Sequence, residues 1–115
     1  MKTYFKVKPH VAQCYEVGAI LENNWGYEQT NIDFYCIIER TANFVTLLPM
    51  KQHTSPEVGF MTNYETPTEI DWSAKPFKRK LAKNKSDGKE AGCGIASYGW
   101  CRLWDGKPSL STHYA

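Results

Sequence analysis

One predicted hairpin constrains the fold of this chain more than any other feature. Residues 32–40 are mostly β-branched, aromatic or aliphatic, and such a run favours a strand. Residues 41–43 end in Asn, which suits a short turn, and residues 44–48 return as a second strand that we expect to end near Pro49. Because both strands are nearly continuous in apolar residues, the hairpin is predicted to lie at the centre of a sheet.

Alternation of apolar and polar residues, together with turn residues, predicts several more short strands. Asp-Gly pairs at residues 87–88 and 105–106 mark two further turns. Residues 52–74 contain two prolines and a glycine, so we expect a long loop there, with one short strand near residues 58–61. The other predicted strands are residues 2–8, 17–21, 76–82 (with a helical turn as the alternative), 93–103 and 109–112.

Roughly five to seven short strands with little helix predict a mainly β fold, either a small, strongly bent antiparallel sheet or an SH3-like barrel. With 115 residues, of which 42% are hydrophobic, the chain suits a single domain over residues 1–115 with one core. Aromatic residues make up 14% of the chain, more than a core of this size usually buries, so we expect some of them at the surface.

The cysteines and the N-terminal residues bear on the cellular compartment. Four cysteines occur, and no two are spaced as CxxC, which argues against a zinc ribbon or a thioredoxin-type site. The sequence contains neither a signal-peptide-like apolar run nor an apolar segment of membrane length. We therefore expect a cytoplasmic protein with reduced thiols, no membrane partner, no metal and no cofactor. The even number of cysteines leaves a disulfide as the alternative.

The segment of residues 25–35 combines aromatic area with hydrogen-bonding side chains, which is what a binding site needs. A glycine follows its first residue, and the backbone is expected to turn there. The alternative is structural, because Thr, Asn and Asp side chains often bond to nearby backbone in turns, and the aromatics would then close one end of the fold. The candidate binding residues are Trp25, Tyr27, Gln29, Asn31, Asp33 and Tyr35.

Positive charge is concentrated in the second part of the chain. Residues 1–71 carry five Lys and Arg against nine Asp and Glu, a net charge of −4, whereas residues 72–115 carry nine against three, a net charge of +6. Such a basic run can neutralise phosphates, and Trp72 and Trp100 lie near it in sequence and can stack on bases. The alternative is a solvated sheet edge at which Lys prevents strand pairing. The candidate basic surface is Lys75, Lys78, Arg79, Lys80, Lys83 and Lys85, followed by Lys89.

No residue pattern in the chain specifies a reaction. The cysteines and histidines lack the local context of a nucleophile and its base. A paired-carboxylate site among Glu65, Glu69 and Asp71 would need two of them to face each other, which their spacing does not establish. The Gly-Cys-Gly at residues 92–94 lacks the third glycine of a phosphate-binding loop. We therefore expect a protein that is not an enzyme.

Two segments carry a further signal. The first is Trp-Gly-Tyr-x-Gln-Thr-Asn-x-Asp-Phe-Tyr at residues 25–35, after an apolar strand that opens with Gly18. The second is Trp-Asp-Gly-Lys-Pro at residues 104–108, with Thr-His-Tyr-Ala at residues 112–115. Together they resemble small proteins of unassigned function encoded by phages and prophages, over residues 16–50 and 98–115. The resemblance implies a small viral accessory protein that acts on a host process such as defence.

From the residues and this resemblance together, we expect a non-enzymatic protein that binds a host protein or protein complex in the cytoplasm of a bacterial host. An inhibitor of a host defence system, such as an anti-CRISPR, is one such protein. Charge from the basic half would steer the encounter, and aromatics near Trp25 or Trp100 would anchor it.

Two alternative functions stay open from the sequence. One is a nucleic-acid-binding module that uses the basic run at residues 75–89. The other is a small enzyme or ligand sensor with its site at residues 25–35. This last alternative requires a concave pocket whose side chains do not bond to the loop backbone; the pocket would hold several of Gln29, Asn31, Asp33 and Tyr35.

Overall fold

The computed structural model describes residues 6–26, 29–96 and 99–112. Its nine strands form one antiparallel sheet that does not close. The mainly β class and the antiparallel sheet are therefore confirmed, whereas the SH3-like barrel and the count of roughly five to seven strands are wrong. Within the described ranges, no helix is long and apolar enough to cross a membrane. The strands are β1 (Ile20–Trp25), β2 (Asn31–Arg40), β3 (Phe44–Thr54), β4 (Thr62–Ile70), β5 (Phe77–Lys80), β6 (Ala82–Lys83), β7 (Glu90–Ala96), β8 (Gly99–Leu103) and β9 (Ser109–Thr112).

The strand order places the predicted hairpin at the centre of the sheet. The order is β6-β7-β8-β1-β2-β3-β4-β9, and β5 pairs with the first half of β3. Strands β2 and β3 pair as predicted, but β3 runs on to Thr54 instead of ending near Pro49. Pro49 lies where β3 changes its partner from β5 to β4, and its carbonyl accepts a 2.9 Å hydrogen bond from the Asp71 amide on that side. At this position no strand of the described chain pairs with β3 on that side, so a residue without an N–H removes no ladder hydrogen bond.

The central strands are buried on both faces, which explains their continuous apolar sequence. Alternate side chains of β2 point to opposite sides, so Ile37 joins one core whereas Phe34 joins the other. The register of β2 on β3 shifts between Ile37 and Glu39, and the extra residue, Ile38, also joins the second core. The first core is Ala12, Tyr15, Ala19, Leu21, Ile37, Val45, Leu47, Leu81, Cys93 and Cys101, and the second is Ile20, Ile32, Phe34, Cys36, Ile38, Leu48, Met50, Ile70 and Trp104.

The predicted long loop at residues 52–74 is wrong, because most of it belongs to β3 and β4. Only a shorter connection, residues 55–61, joins the two strands. Pro67 had argued against a strand here, yet it lies within β4. Strand β9 pairs only with residues 62–65 of β4, so beyond Glu65 one edge of β4 has no strand partner among the described residues. A proline at such an edge removes no ladder hydrogen bond.

Three further predicted strands differ from the structure. Residues 2–5 lie outside the described residues, residues 6–9 contain no strand, and β1 begins at Ile20 rather than at residue 17. The later start follows from Gly18, whose φ of +93° bends the backbone just before the strand. Residues 93–103, expected as one strand, form the hairpin of β7 and β8. Folding back places Cys93 directly opposite Cys101, and both lie in the first core.

The remaining short elements agree with the sequence. Strands β5 and β9 lie within or at the predicted ranges. Both Asp-Gly turns are confirmed, with φ of +71° at Gly88 and +87° at Gly106. After the second turn, β9 returns along β4, and its last described residue contacts the chain just before β2.

The two segments that carry the family resemblance pack against each other. The rings of Phe34 on β2 and Trp104 after β8 meet edge-on, with centroids 5.7 Å apart and an interplanar angle of 74°. The Trp104 amide also donates a 2.9 Å hydrogen bond to the Ile20 carbonyl. Both aromatic rings are buried in the second core. These segments therefore contribute directly to the stability of the fold.

Candidate binding surfaces

The hairpin of β1 and β2 positions part of the 25–35 segment. Trp25 and Asn31 pair across its end. The Trp25 indole Nε1 donates a 2.7 Å hydrogen bond to Asp33 Oδ2, which lies diagonally across the two strands. Gly26 has φ of +131°, and a Cβ there would lie 2.2 Å from the Gln29 carbonyl oxygen. The turn expected at this glycine is confirmed, and no other residue fits it without a backbone shift.

The side-chain bonds of Asn31 and Asp33 differ from the turn-capping alternative. Asn31 Oδ1 accepts a 3.3 Å hydrogen bond from the Gln29 side-chain amide, and Asp33 accepts from the Trp25 indole. In the described part of the chain, neither side chain bonds to the loop backbone. Asp33 therefore orients Trp25 rather than capping a turn.

The six candidate residues of this segment do not form one site. Tyr27 lies outside the described residues. Tyr35 points into the first core, where its ring meets Phe77 edge-on with centroids 5.6 Å apart. Only Trp25, Asn31 and Asp33 line a common cleft.

This cleft has a volume of about 280 Å³ and contains a buried carboxylate. Glu65 on β4 is only 5% exposed. Its two oxygens accept hydrogen bonds of 2.7–2.8 Å from Gln52 Nε2, Thr54 Oγ1 and Ser111 Oγ. These donors come from β3 and β9, so the carboxylate ties β4 to both neighbouring strands. The ligand-sensor alternative is met only in part, because Gln29 and Tyr35 do not line this cleft.

The basic run is divided between the core and the solvent. Arg79 turns inward on β5, where its guanidinium lies 4.7 Å from the centre of the Phe77 ring and donates a 3.0 Å hydrogen bond to the Ile95 carbonyl. Its neighbours on β5 point outward and are exposed. Arg79 thus covers the first core, whereas the exposed members of the candidate basic surface are Lys75, Lys78, Lys80, Lys83, Lys85 and Lys89.

Trp100 is the aromatic residue that the fold holds beside these lysines. It is 40% exposed on β8. Its indole Nε1 donates a 3.0 Å hydrogen bond to the Ala91 carbonyl, and its amide donates to the buried Asn23 side chain at 3.1 Å. A Cβ on Gly94 would lie 3.9 Å from the six-membered ring, so the ring covers β7 at a residue without a side chain. The indole is therefore held in one orientation while much of it stays accessible.

Two clefts meet at Trp100. The first, which we call the lysine cleft, has a volume of about 550 Å³; Lys80 and Lys83 line it, and none of the described residues that line it is acidic. The second, which we call the mixed cleft, has a volume of about 630 Å³. Its charged residues are Glu22, Arg102, Asp105 and Lys107. We refer to Trp100 and these two clefts together as the Trp100 surface.

The cations of the Trp100 surface are not engaged by carboxylates of the described chain. Three ion pairs occur among the described residues: His10 with Glu16, Arg40 with Glu90, and Lys51 with Glu69. None of them includes a cation from either cleft. These cations are thus free to neutralise the charge of a partner.

Arg102 and Lys107 were not part of the basic surface predicted from the sequence. A signal for Arg102 was present, because it follows Trp100 by two residues, and residues at that spacing share one face of a strand. It was missed because the predicted basic surface was limited to the run at residues 75–89. Lys107 lies in the turn after β8, and its proximity to Trp100 depends on the tertiary fold.

Three of the four thiols lie in the two cores, and the fourth, Cys14, is exposed. Cys93 and Cys101 face each other across β7 and β8 and are fully buried. The hydrogen bond between them, with burial, raises the pKa of Cys101, and the same bond lowers the pKa of Cys93. Burial raises the pKa of Cys36 to about 12. All four cysteines are free, and the described residues bring together no group of three or more His, Cys, Asp and Glu that could hold a metal ion.

Comparison of the chain with protein-family models, with curated proteins and with solved structures finds no match. The relation to phage-encoded proteins therefore stays a prediction from residues 25–35 and 104–115.

Proposed function

We propose that this protein acts by binding an acidic macromolecule of a bacterial host through the Trp100 surface. One observation carries the proposal: an indole that is 40% exposed lies between two clefts, one of which is lined by Lys80 and Lys83 without an acidic residue among its described lining. An aromatic side chain already held in place loses little conformational entropy on binding, which makes it an effective anchor. The surrounding cations attract an acidic partner and raise its association rate.

The host context of this proposal comes from the resemblance to phage and prophage proteins. Phe34 and Trp104, which carry part of the resemblance, are buried and in contact with each other. A surface that meets a partner must instead be accessible, and the Trp100 surface has that property. A component of a host defence system is one partner that fits the proposed context.

The proposal is tested by retention of host macromolecules on the immobilised full-length chain. Bacterial lysate is applied with and without nuclease, and the retained protein and nucleic acid are both quantified. We expect Trp100→Ala to reduce strongly the amount of retained protein or of retained nucleic acid. Trp72→Ala is the matched control, because Trp72 is 41% exposed and lines neither cleft. Equal retention by the wild type and Trp100→Ala would contradict the proposal, as would an equal loss in the Trp72 control.

A further inference from the structure

We infer that the partner is a single-stranded nucleic acid, with one base stacked on Trp100 and the adjacent phosphates held by Lys80 and Lys83. This inference rests on the proposed function and names the class of its partner. Two features carry it: the accessible indole, and the two clefts that this indole lines, one of them together with Lys80 and Lys83.

The indole of Trp100 is suited to stacking. The hydrogen bond from its Nε1 to the Ala91 carbonyl fixes the edge of the ring, and contact with Gly94 supports it from β7. A nucleobase can then cover the accessible part of the ring without reordering the side chain, and such stacking is largely independent of base identity. Bases within a duplex already stack on their neighbours, so a single strand is the form that this surface takes.

The lysine cleft supplies charge on one side of the ring. Lys80 and Lys83 both line it, and neither forms an ion pair within the described chain. Burying cations next to phosphates releases counterions from the nucleic acid, which favours binding at low salt. The exposed Lys85 and Lys89 in the turn after β6 extend the same charge beyond the cleft.

The mixed cleft continues the path on the other side of Trp100. Arg102 lies two residues beyond Trp100 on β8 and also lines this cleft. Its guanidinium can bind a further phosphate or stack on the next base. Because this cleft also contains Glu22 and Asp105, it offers acceptors for base amino groups as well as cations. An extended ligand that crosses Trp100 therefore finds polar partners at both ends.

An acidic polypeptide fits the same surface less well. Its carboxylates can pair with Lys80 and Lys83, but most acidic side chains bring no flat apolar face to cover the indole. A nucleotide supplies a π face and a negative charge in every residue of the chain. Charge attraction alone would give the two polymers similar affinities. A higher affinity for the nucleic acid therefore tests whether stacking on Trp100 contributes.

Fluorescence anisotropy with a labelled oligothymidylate, a hairpin duplex and polyglutamate tests the inference on the full chain. At low salt we expect the single strand to bind more tightly than either of the other two probes. Trp100→Ala should weaken it about tenfold, as for loss of one stacked base. Removing Lys80 and Lys83 together should reduce the slope of log K against log salt by roughly one to two.

Matched variants separate binding from folding. Trp100→Leu keeps an apolar cover over Gly94 but removes the aromatic face. Loss of oligonucleotide affinity in a variant that still unfolds cooperatively, well above the assay temperature, supports stacking. The double variant Lys8→Ala/Lys51→Ala changes the net charge equally, away from both clefts, and should leave affinity nearly unchanged.

The outcomes distinguish this inference from the function on which it rests. Equal affinity for polyglutamate and the single strand, or equal affinity of Trp100→Leu and wild type, would overturn the inference. If no oligonucleotide binds at low salt while Trp100-dependent retention of a host protein persists, the nucleic-acid inference fails and the proposed function stands. If Trp100-dependent retention also vanishes, both fail.

Discussion

Thr30 and Thr112 exchange two hydrogen bonds although they lie far apart in the chain. The Thr112 amide donates to the Thr30 carbonyl at 3.0 Å, and Thr112 Oγ1 accepts from the Thr30 amide at 2.7 Å. The pair joins the end of β9 to the chain that enters β2. The sheet stays open in its strand pairing, but this contact fixes the position of its last strand relative to the central hairpin.

Replacing Thr112 with Val should destabilise the protein by about 1–2 kcal/mol, because the Thr30 amide loses its acceptor while the side-chain shape is kept. Thr112→Ser, which retains the hydroxyl, should cost clearly less. Chemical denaturation in urea measures both changes. Thr68→Val, at an exposed position of β4, is the control, and a loss as large in this control would show that the hydroxyl of Thr112 is not the cause.

The Glu65 carboxylate gives a second prediction about stability. Glu65→Leu leaves the donors from Gln52, Thr54 and Ser111 without their acceptor in a buried place, and we expect a loss of about 3 kcal/mol. Glu65→Gln can still accept from two of these donors and can donate to the hydroxyl of the third, so it should cost less than about 1 kcal/mol. Urea denaturation compares the two variants. Similar losses in both would mean that the negative charge itself is required.

The sequence predicted the central hairpin because its apolar content has a single physical cause. Residues 32–38 and 45–48 are buried or half-buried on both faces of the sheet, and burial of that kind requires an apolar side chain at nearly every position. The Asp-Gly turns and Gly26 were predictable for a similar reason, since a left-handed backbone favours glycine.

The outer strands could not be predicted in the same way. Pro49 and Pro67 mark strand ends in most settings, and they are tolerated here only because of where neighbouring strands stop. That information is tertiary and is absent from the local sequence. The count of strands and the open sheet were missed for this reason.

In the candidate sites, too, some features follow from the local sequence and others depend on the tertiary structure. The basic run and Trp100 are visible in the sequence, but their shared clefts depend on the β7–β8 hairpin. Arg79 points inward because it follows Phe77 by two residues on β5, which places both side chains on the same face of the strand. For Asn31 and Asp33, residue type alone left turn capping open as the alternative to ligand binding, whereas the partner of Asp33 is the Trp25 indole on the neighbouring strand.

Gly92 provides a test of the backbone that supports Trp100. Its φ is +105°, and a Cβ would lie 2.0 Å from the Cys101 carbonyl oxygen, so Gly92→Ala should cost about 3 kcal/mol or more. Gly88→Ala is the matched control, because its φ is +71° but a Cβ there meets nothing within 4 Å; we expect about 1 kcal/mol from backbone strain alone. Thermal unfolding ranks the two variants. Equal losses of stability in the two variants would show that the close approach to the Cys101 carbonyl does not contribute to the cost of Gly92→Ala.

Thiol labelling tests the placement of the cysteines in the two cores. Cys14 is exposed and should react with a maleimide in the native protein. Cys36, Cys93 and Cys101 are fully buried, so they should react only after denaturation. Burial raises the pKa of Cys36 to about 12, so this thiol stays protonated between pH 7 and pH 9. Raising the pH over this range should therefore leave the labelling of Cys36 in the native protein negligible.

Mass spectrometry after brief native labelling should therefore find one modified cysteine per chain, and after labelling in urea four. A Cys14→Ser variant is the control and should give no rapid native labelling. Rapid modification of Cys93 or Cys101 in the folded protein would mean that the hairpin of β7 and β8 opens readily. An opened hairpin could not hold Trp100 against Ala91 and Gly94, so the same result would also remove the fixed indole on which the proposed binding surface depends.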